Sequence, residues 1–148
     1  MATYCPDKKG PALYLDCREC DQKNCEKFFC LVAGTRTFSD YELLTSKLDY
    51  LLSNHSKEAV IVSGGANGAD TLAKRYAEDK GYPYYEFPAN WTMLGKRAGM
   101  VRNEQMHEFI SHFPNRGAVI FWDGKSRGTA SNIGFAEKYG NRLVTIKY

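Results

Sequence analysis

Short apolar runs and helical periodicities take turns five times along this chain. Phe28-Phe29-Cys30-Leu31-Val32-Ala33, Ala59 to Val62, Tyr82 to Phe87, Gly117 to Trp122 and Leu143 to Ile146 are compact stretches rich in β-branched and aromatic residues. That is the composition of buried strands. Between them, Tyr41, Leu44, Leu48, Leu51 and Leu52 share one helical face, and so do Leu72, Ala73, Tyr76 and Ala77. A further helix is expected from about Gly95 to His112, and a last one is packed by Ile133, Phe135 and Ala136. Strand and helix alternating in short units dictate an α/β fold with a parallel sheet and right-handed crossovers. Pro83 puts the third strand at an edge, or marks that strand's first residues.

Local signals mark the helix ends. Ser39 or Asp40 can cap the first helix, Gly81 stops the second, and Gly140-Asn141 ends the last. Gly99 in mid-helix costs about 1 kcal/mol against alanine, so it points to close packing or a nearby ligand. Cys30, inside an apolar run, reads as a small core residue. His55 stands alone in a polar loop and carries no role.

At 148 residues the chain can bury a proper core. Its net charge of +3 is small and shows no basic block, which argues against a nucleic-acid partner. No apolar run is long enough to span a bilayer, and no apolar leader heads the chain, so the cytoplasm is the expected location.

Four of the five cysteines crowd the first 25 residues. Cys5, Cys17, Cys20 and Cys25 are spaced C-x11-C-x2-C-x4-C, and the short Cys17-Arg18-Glu19-Cys20 pair is a zinc knuckle in form. Thiolates suit zinc, and four of them leave no open coordination position, so the expected metal is structural. Iron–sulfur clusters use other spacings, and free or redox-active thiols are the remaining alternative. With few apolar residues, residues 1–27 need such a staple. They read as a separate zinc module ahead of the α/β domain at 28–148. The module enters the first strand from its amino end, so it should lie away from any site at the carboxyl ends.

Parallel sheets bind ligands outside the carboxyl ends of their strands. Three loops gather there. Gly34-Thr35-Arg36 follows the first strand, Ser63-Gly64-Gly65-Ala66-Asn67-Gly68-Ala69-Asp70 the second, and Asp123-Gly124-Lys125-Ser126-Arg127-Gly128-Thr129 the fourth. A glycine turn at a helix start leaves backbone N–H groups that bind anions, phosphate above all. Any one such turn also serves as a plain βα connection; three converging, with arginine nearby, point to a phosphate-bearing ligand. The turns are neither G-x-G-x-x-G nor a Walker A loop, so hydride transfer and ATP hydrolysis fit poorly.

Gly34-Thr35-Arg36, Ser63-Gly64-Gly65-Ala66-x-Gly68-Ala69-Asp70, Pro88-Ala89-x-Trp91, Arg102-Asn103-x-x-Met106 and Phe121-Trp122-Asp123-Gly124-x-Ser126-x-Gly128-Thr129 together resemble the SLOG superfamily. The nearest branch is the YspA- or cpYpsA-related family of unknown function, and the likeness runs over roughly residues 28–148. It implies a Rossmann-like three-layer sandwich with strand order 3-2-1-4-5 and a switch point between strands one and four. It also implies pairing of two copies through helices. Lonely Guy phosphoribohydrolases, in the same superfamily, cut the N-glycosidic bond of nucleoside monophosphates. Their R-K-x-x-M motif resembles Arg102-Asn103-Glu104-Gln105-Met106, which would make Arg102 the catalytic arginine. Their catalytic glutamate position falls on Asn132, and an amide supplies neither an acid nor a carboxylate. An enzyme built this way needs another carboxylate, for which Asp70, Asp123 and Glu104 are available. Asp70 also reads as a helix N-terminal charge, and Asp123 as a turn residue.

Two functions follow. In the first, the chain binds a nucleotide or nucleotide-derived ligand as a sensor or accessory module. Gly34, Thr35, Ser63, Gly64, Gly65, Gly68, Asn103, Ser126, Gly128 and Thr129 then contact the ligand, Arg36 and Arg102 supply charge, Trp91 or Trp122 stacks a base, and Asp123 holds a ribose hydroxyl. In the second, it is a nucleotide-processing hydrolase using Arg102 with Asp70 or Asp123. DNA binding, as in the superfamily's DprA, fits the weak charge least.

Overall fold

The computed structural model describes residues 27–53 and 59–148. Cys5, Cys17, Cys20 and Cys25, the expected zinc ligands, lie outside the described residues, as do Asn54, His55 and Ser56. Strands β1 (Phe28–Gly34), β2 (Ala59–Ser63), β3 (Tyr84–Glu86), β4 (Arg116–Trp122) and β5 (Arg142–Lys147) form one five-stranded sheet in the order β3-β2-β1-β4-β5. Every pairing is parallel, in the order that the resemblance implies.

The continuous apolar runs of β1 and β2 have the physical meaning expected of them: both faces of these strands are covered. Cys30, Val32 and Ile61 point into a core shared with α1 (Tyr41–Leu52) and α2 (Ala69–Lys80). Phe29, Leu31, Val60 and Val62 point the other way, against Met106, Phe109 and Ile110 of α4 (Ala98–Ile110). α5 (Arg127–Lys138) lies beside α4, joined to it by Lys138–Glu104 at 2.6 Å. Three layers result. Burial pushes the Cys30 thiol up to about 12, so it stays a neutral core group.

Caps set the helix bounds. Asp40, one of the two expected caps, accepts from the Leu43 N–H at 3.0 Å. Gly81 closes α2 in the left-handed conformation. β3 is shorter than the Tyr82–Phe87 expected, because Pro83 precedes it without an N–H to give; its carbonyl accepts from Ile61 N–H at 2.9 Å. β3 is an edge strand, as Pro83 suggested.

The helix expected from Gly95 to His112 is present in shorter form, and a separate turn precedes it. Asn90 caps a single turn, α3 (Trp91–Leu94), by accepting from Met93 N–H at 3.1 Å. Gly95, at φ 57°, ends that turn, and a 3-10 turn over Gly95–Arg97 leads into α4. α4 closes at Ile110, short of His112.

A buried histidine fastens α4 to α5. His107 Nε2 meets Asn132 Oδ1 at 3.2 Å, and its Nδ1 meets Asn141 Nδ2 at 3.2 Å. An amide nitrogen can only donate, so Nδ1 accepts and the proton sits on Nε2. Burial pushes His107 down to about 4, and the ring is neutral. No helix among the described residues is long and apolar enough to cross a membrane.

Candidate functional site

Thr35, buried at the end of β1, joins the three expected loops. Its N–H donates to Phe121 O at 2.9 Å, and its carbonyl accepts from Ala69 N–H at 3.4 Å. Its Oγ1 accepts from Asp123 N–H at 3.3 Å. Gly34, next to it, lies against Phe121 and Ala69. Ser63 ends β2 and donates to Val32 O at 2.7 Å. The chain then turns through Gly65 at φ 77° and Gly68 at φ 80°. A side chain on Gly68 would strike the backbone carbonyls of Thr35 and Arg36, so only glycine lets these two loops meet.

Asp70, in the first turn of α2, braces the glycine turn from beneath. Its Oδ2 accepts from Ala66 N–H at 3.2 Å, while its buried Oδ1 has no hydrogen-bond partner among the described residues. Burial pushes this carboxyl up to about 6, against the pull of the Arg102 guanidinium.

Arg102 is 5% exposed and comes from α4. It donates to the carbonyl of Gly64, to Phe87 O at 3.4 Å, and from Nε to Asn103 Oδ1 at 2.8 Å. It therefore ties the β2 turn to the segment leaving β3. Burial lowers its pKa, and the charge on Asp70 opposes that shift.

Above these residues opens a cleft of about 390 Å³, lined by Arg36, the Gly64–Asn67 turn, Glu86, Trp91 and Arg102. Arg36 is exposed, with its guanidinium 5.7 Å from the centroid of the Trp91 ring. Trp91 is 50% exposed. Gly99 lies in the first turn of α4 rather than in mid-helix, and a Cβ there would meet the Trp91 ring at 3.5 Å, an ordinary van der Waals contact.

The third loop does not line this cleft. Asp123 Oδ1 accepts from the N–H groups of Lys125 and Ser126 at 2.8 and 2.9 Å, and these bonds hold its carboxyl below the usual range. Ser126 caps α5 by accepting from Thr129 N–H at 3.3 Å and from Thr129 Oγ1 at 3.1 Å. Gly128 sits in the first turn of α5. Trp122 donates to Ser126 O at 3.1 Å. Glu104 is held by Lys138 at 2.6 Å and by Tyr139 at 2.7 Å on the α4–α5 face. Asn132 is spent on His107.

Glu86 is the cleft residue that sequence reasoning missed. It closes β3, and the carboxyl end of a parallel strand is where site residues belong. Its place inside a strand-like run concealed it.

Residues 30–93 match the model of the YspA, cpYpsA-related SLOG family. The Gene 61 protein of Mycobacterium phage D29 is 33% identical over 121 residues, spanning 78% of this chain and 94% of that protein. The chain belongs to this SLOG family. The stretch matched by the SLOG model contains Arg36, the glycine turn, Glu86 and Trp91, and ends before Arg102.

Proposed function

We propose that the cleft binds a phosphorylated, nucleotide-like ligand. The observation that carries this reading is the convergence of Arg36 and Arg102 on a space edged by a half-exposed tryptophan. Guanidinium groups suit phosphate, and a tryptophan face suits a base. About 390 Å³ is in the range of small-molecule sites. Arg102 is committed to two carbonyls and shapes the cleft, so Arg36 is the arm that engages the anion. The SLOG membership and α/β fold are compatible with this reading.

The test is calorimetric titration with nucleoside monophosphates, NAD and ADP-ribose, each mixture then resolved chromatographically. Arg36→Ala should weaken binding about ten-fold or more without lowering Tm, because Arg36 is exposed. If no nucleotide binds at millimolar concentration, the reading fails.

One observation favours a hydrolase as the second reading. Asp70, raised to about 6 and with Oδ1 unpartnered among the described residues, neighbours Arg102. Free base produced by the native chain and lost in Asp70→Asn would establish it. Nucleotide recovered intact would leave the binding module.

We also propose that Cys5, Cys17, Cys20 and Cys25 hold a structural zinc. Their number and the C-x2-C pair support this. Metal analysis should find about one zinc per chain, lost in the double variant Cys17→Ser, Cys20→Ser. A metal-free native protein would exclude it.

A further inference from the structure

Resting on the nucleotide reading, we propose that Glu86 reads the ligand's sugar, so that the cleft selects ribonucleotides over deoxyribonucleotides. The β2–α2–β3 unit carries the argument. In dinucleotide-binding sheets a glycine turn follows one strand, and an acidic residue about 20 positions on, at the tip of the neighbouring strand, accepts a hydrogen bond from a ribose hydroxyl. Here Ser63-Gly64-Gly65-Ala66-Asn67-Gly68 keeps glycine at the third and sixth places of that turn, with Ser63 at the first. Glu86 lies 21 positions after Gly65 (86 − 65). β3 runs parallel beside β2, and Glu86 stands in register with Ser63. The fingerprint is incomplete, yet the spatial relation between turn and carboxylate is kept.

The side-chain geometry is a separate observation. Tyr84 Oη donates to Glu86 Oε1 at 3.0 Å and orients the carboxylate. Glu86 Oε2 lies over Gly65, where a Cβ would come within 2.7 Å of it. Glycine at 65 is thus what allows the carboxylate its place at the cleft. An ionised carboxylate accepts hydrogen bonds and cannot donate them. It repels phosphate and complements hydroxyl groups. The Arg36 guanidinium lines the same cleft for the anionic part of a ligand, with Arg102 adding positive charge behind it. An acceptor-only group beside them fits a neutral vicinal diol, which ribose has and deoxyribose lacks.

The experiment compares affinities for the common ribonucleoside monophosphates with their 2′-deoxy and 3′-deoxy counterparts, in the native chain and in Glu86→Gln. The native chain should bind at least one ribonucleotide about ten-fold tighter than a deoxy form, the loss expected when a hydroxyl is withdrawn from a charged acceptor. Glu86→Gln should bring that ratio to about three-fold or less with Tm unchanged. Equal affinity for ribo and deoxy forms, which needs no variant, would overturn the inference and leave the nucleotide reading standing. So would a ratio that Glu86→Gln leaves intact. Failure to bind any nucleotide would remove both.

Discussion

Asp70 and His107 are buried groups whose ionisation is shifted in opposite senses from the pKa each has in the unfolded chain. For Asp70 the folded value, about 6, lies above the ordinary 3.8. Between these pH values the folded chain keeps a proton that the unfolded chain has released, so stability falls as pH rises through that window and is flat above it. For His107 the folded value, about 4, lies below 6.5. There the unfolded chain takes the extra proton, so stability falls as pH drops through that window. From about pH 4 to 6 the two slopes offset each other. Asp70→Asn should remove one of them. Urea denaturation across pH 4.5 to 8 should then show stability rising with pH toward neutrality, and a gain on the order of 2 kcal/mol at pH 7. An unchanged pH profile would contradict the burial of an ionising Asp70. Neither feature was legible in the sequence. Asp70 could be placed in a first helical turn, but its burial beside the Ser63–Ala66 turn and Arg102 is set by tertiary packing. His107 lay unmarked within a helix, because its partners Asn132 and Asn141 are 25 and 34 residues away.

The βα units were legible where strand and helix each announced themselves through composition and caps. Asp40, Gly81 and Gly68 stand where their chemistry demands. The α3 turn was not legible, since a single turn capped by the Asn90 side chain and ended by Gly95 leaves no periodicity to read. Loops with similar glycine content also prove unlike in space, and two substitutions separate them. Gly68→Ala forces alanine to φ near 80° and against the Thr35 and Arg36 carbonyls. It should cost about 2 kcal/mol or more in urea denaturation. Gly128→Ala meets nothing within 4 Å in the first turn of α5. It should be neutral or gain up to about 1 kcal/mol, with nucleotide affinity unchanged. A large loss of affinity in Gly128→Ala would bring the Asp123–Thr129 loop back into the site.

At the scale of the molecule, sheet order followed from the resemblance rather than from periodicity, which gives strands but not neighbours. The expected site joined the loops after β1, β2 and β4. The cleft opens over β1, β2 and β3, and the loop after β4 does not line it. The cause is the long return from edge strand β3, which carries Trp91 and then Arg102 back across the carboxyl ends. Meanwhile the loop after β4 uses its hydrogen bonds to cap α5. Trp91 is one of two tryptophans in the chain. The decisive measurement is therefore its fluorescence in a Trp122→Phe background during titration with ribonucleoside monophosphates. Binding in the cleft predicts a saturable change in emission whose midpoint Arg36→Ala moves to a concentration about ten-fold higher or more. Emission unmoved by every nucleotide at millimolar concentration would contradict it.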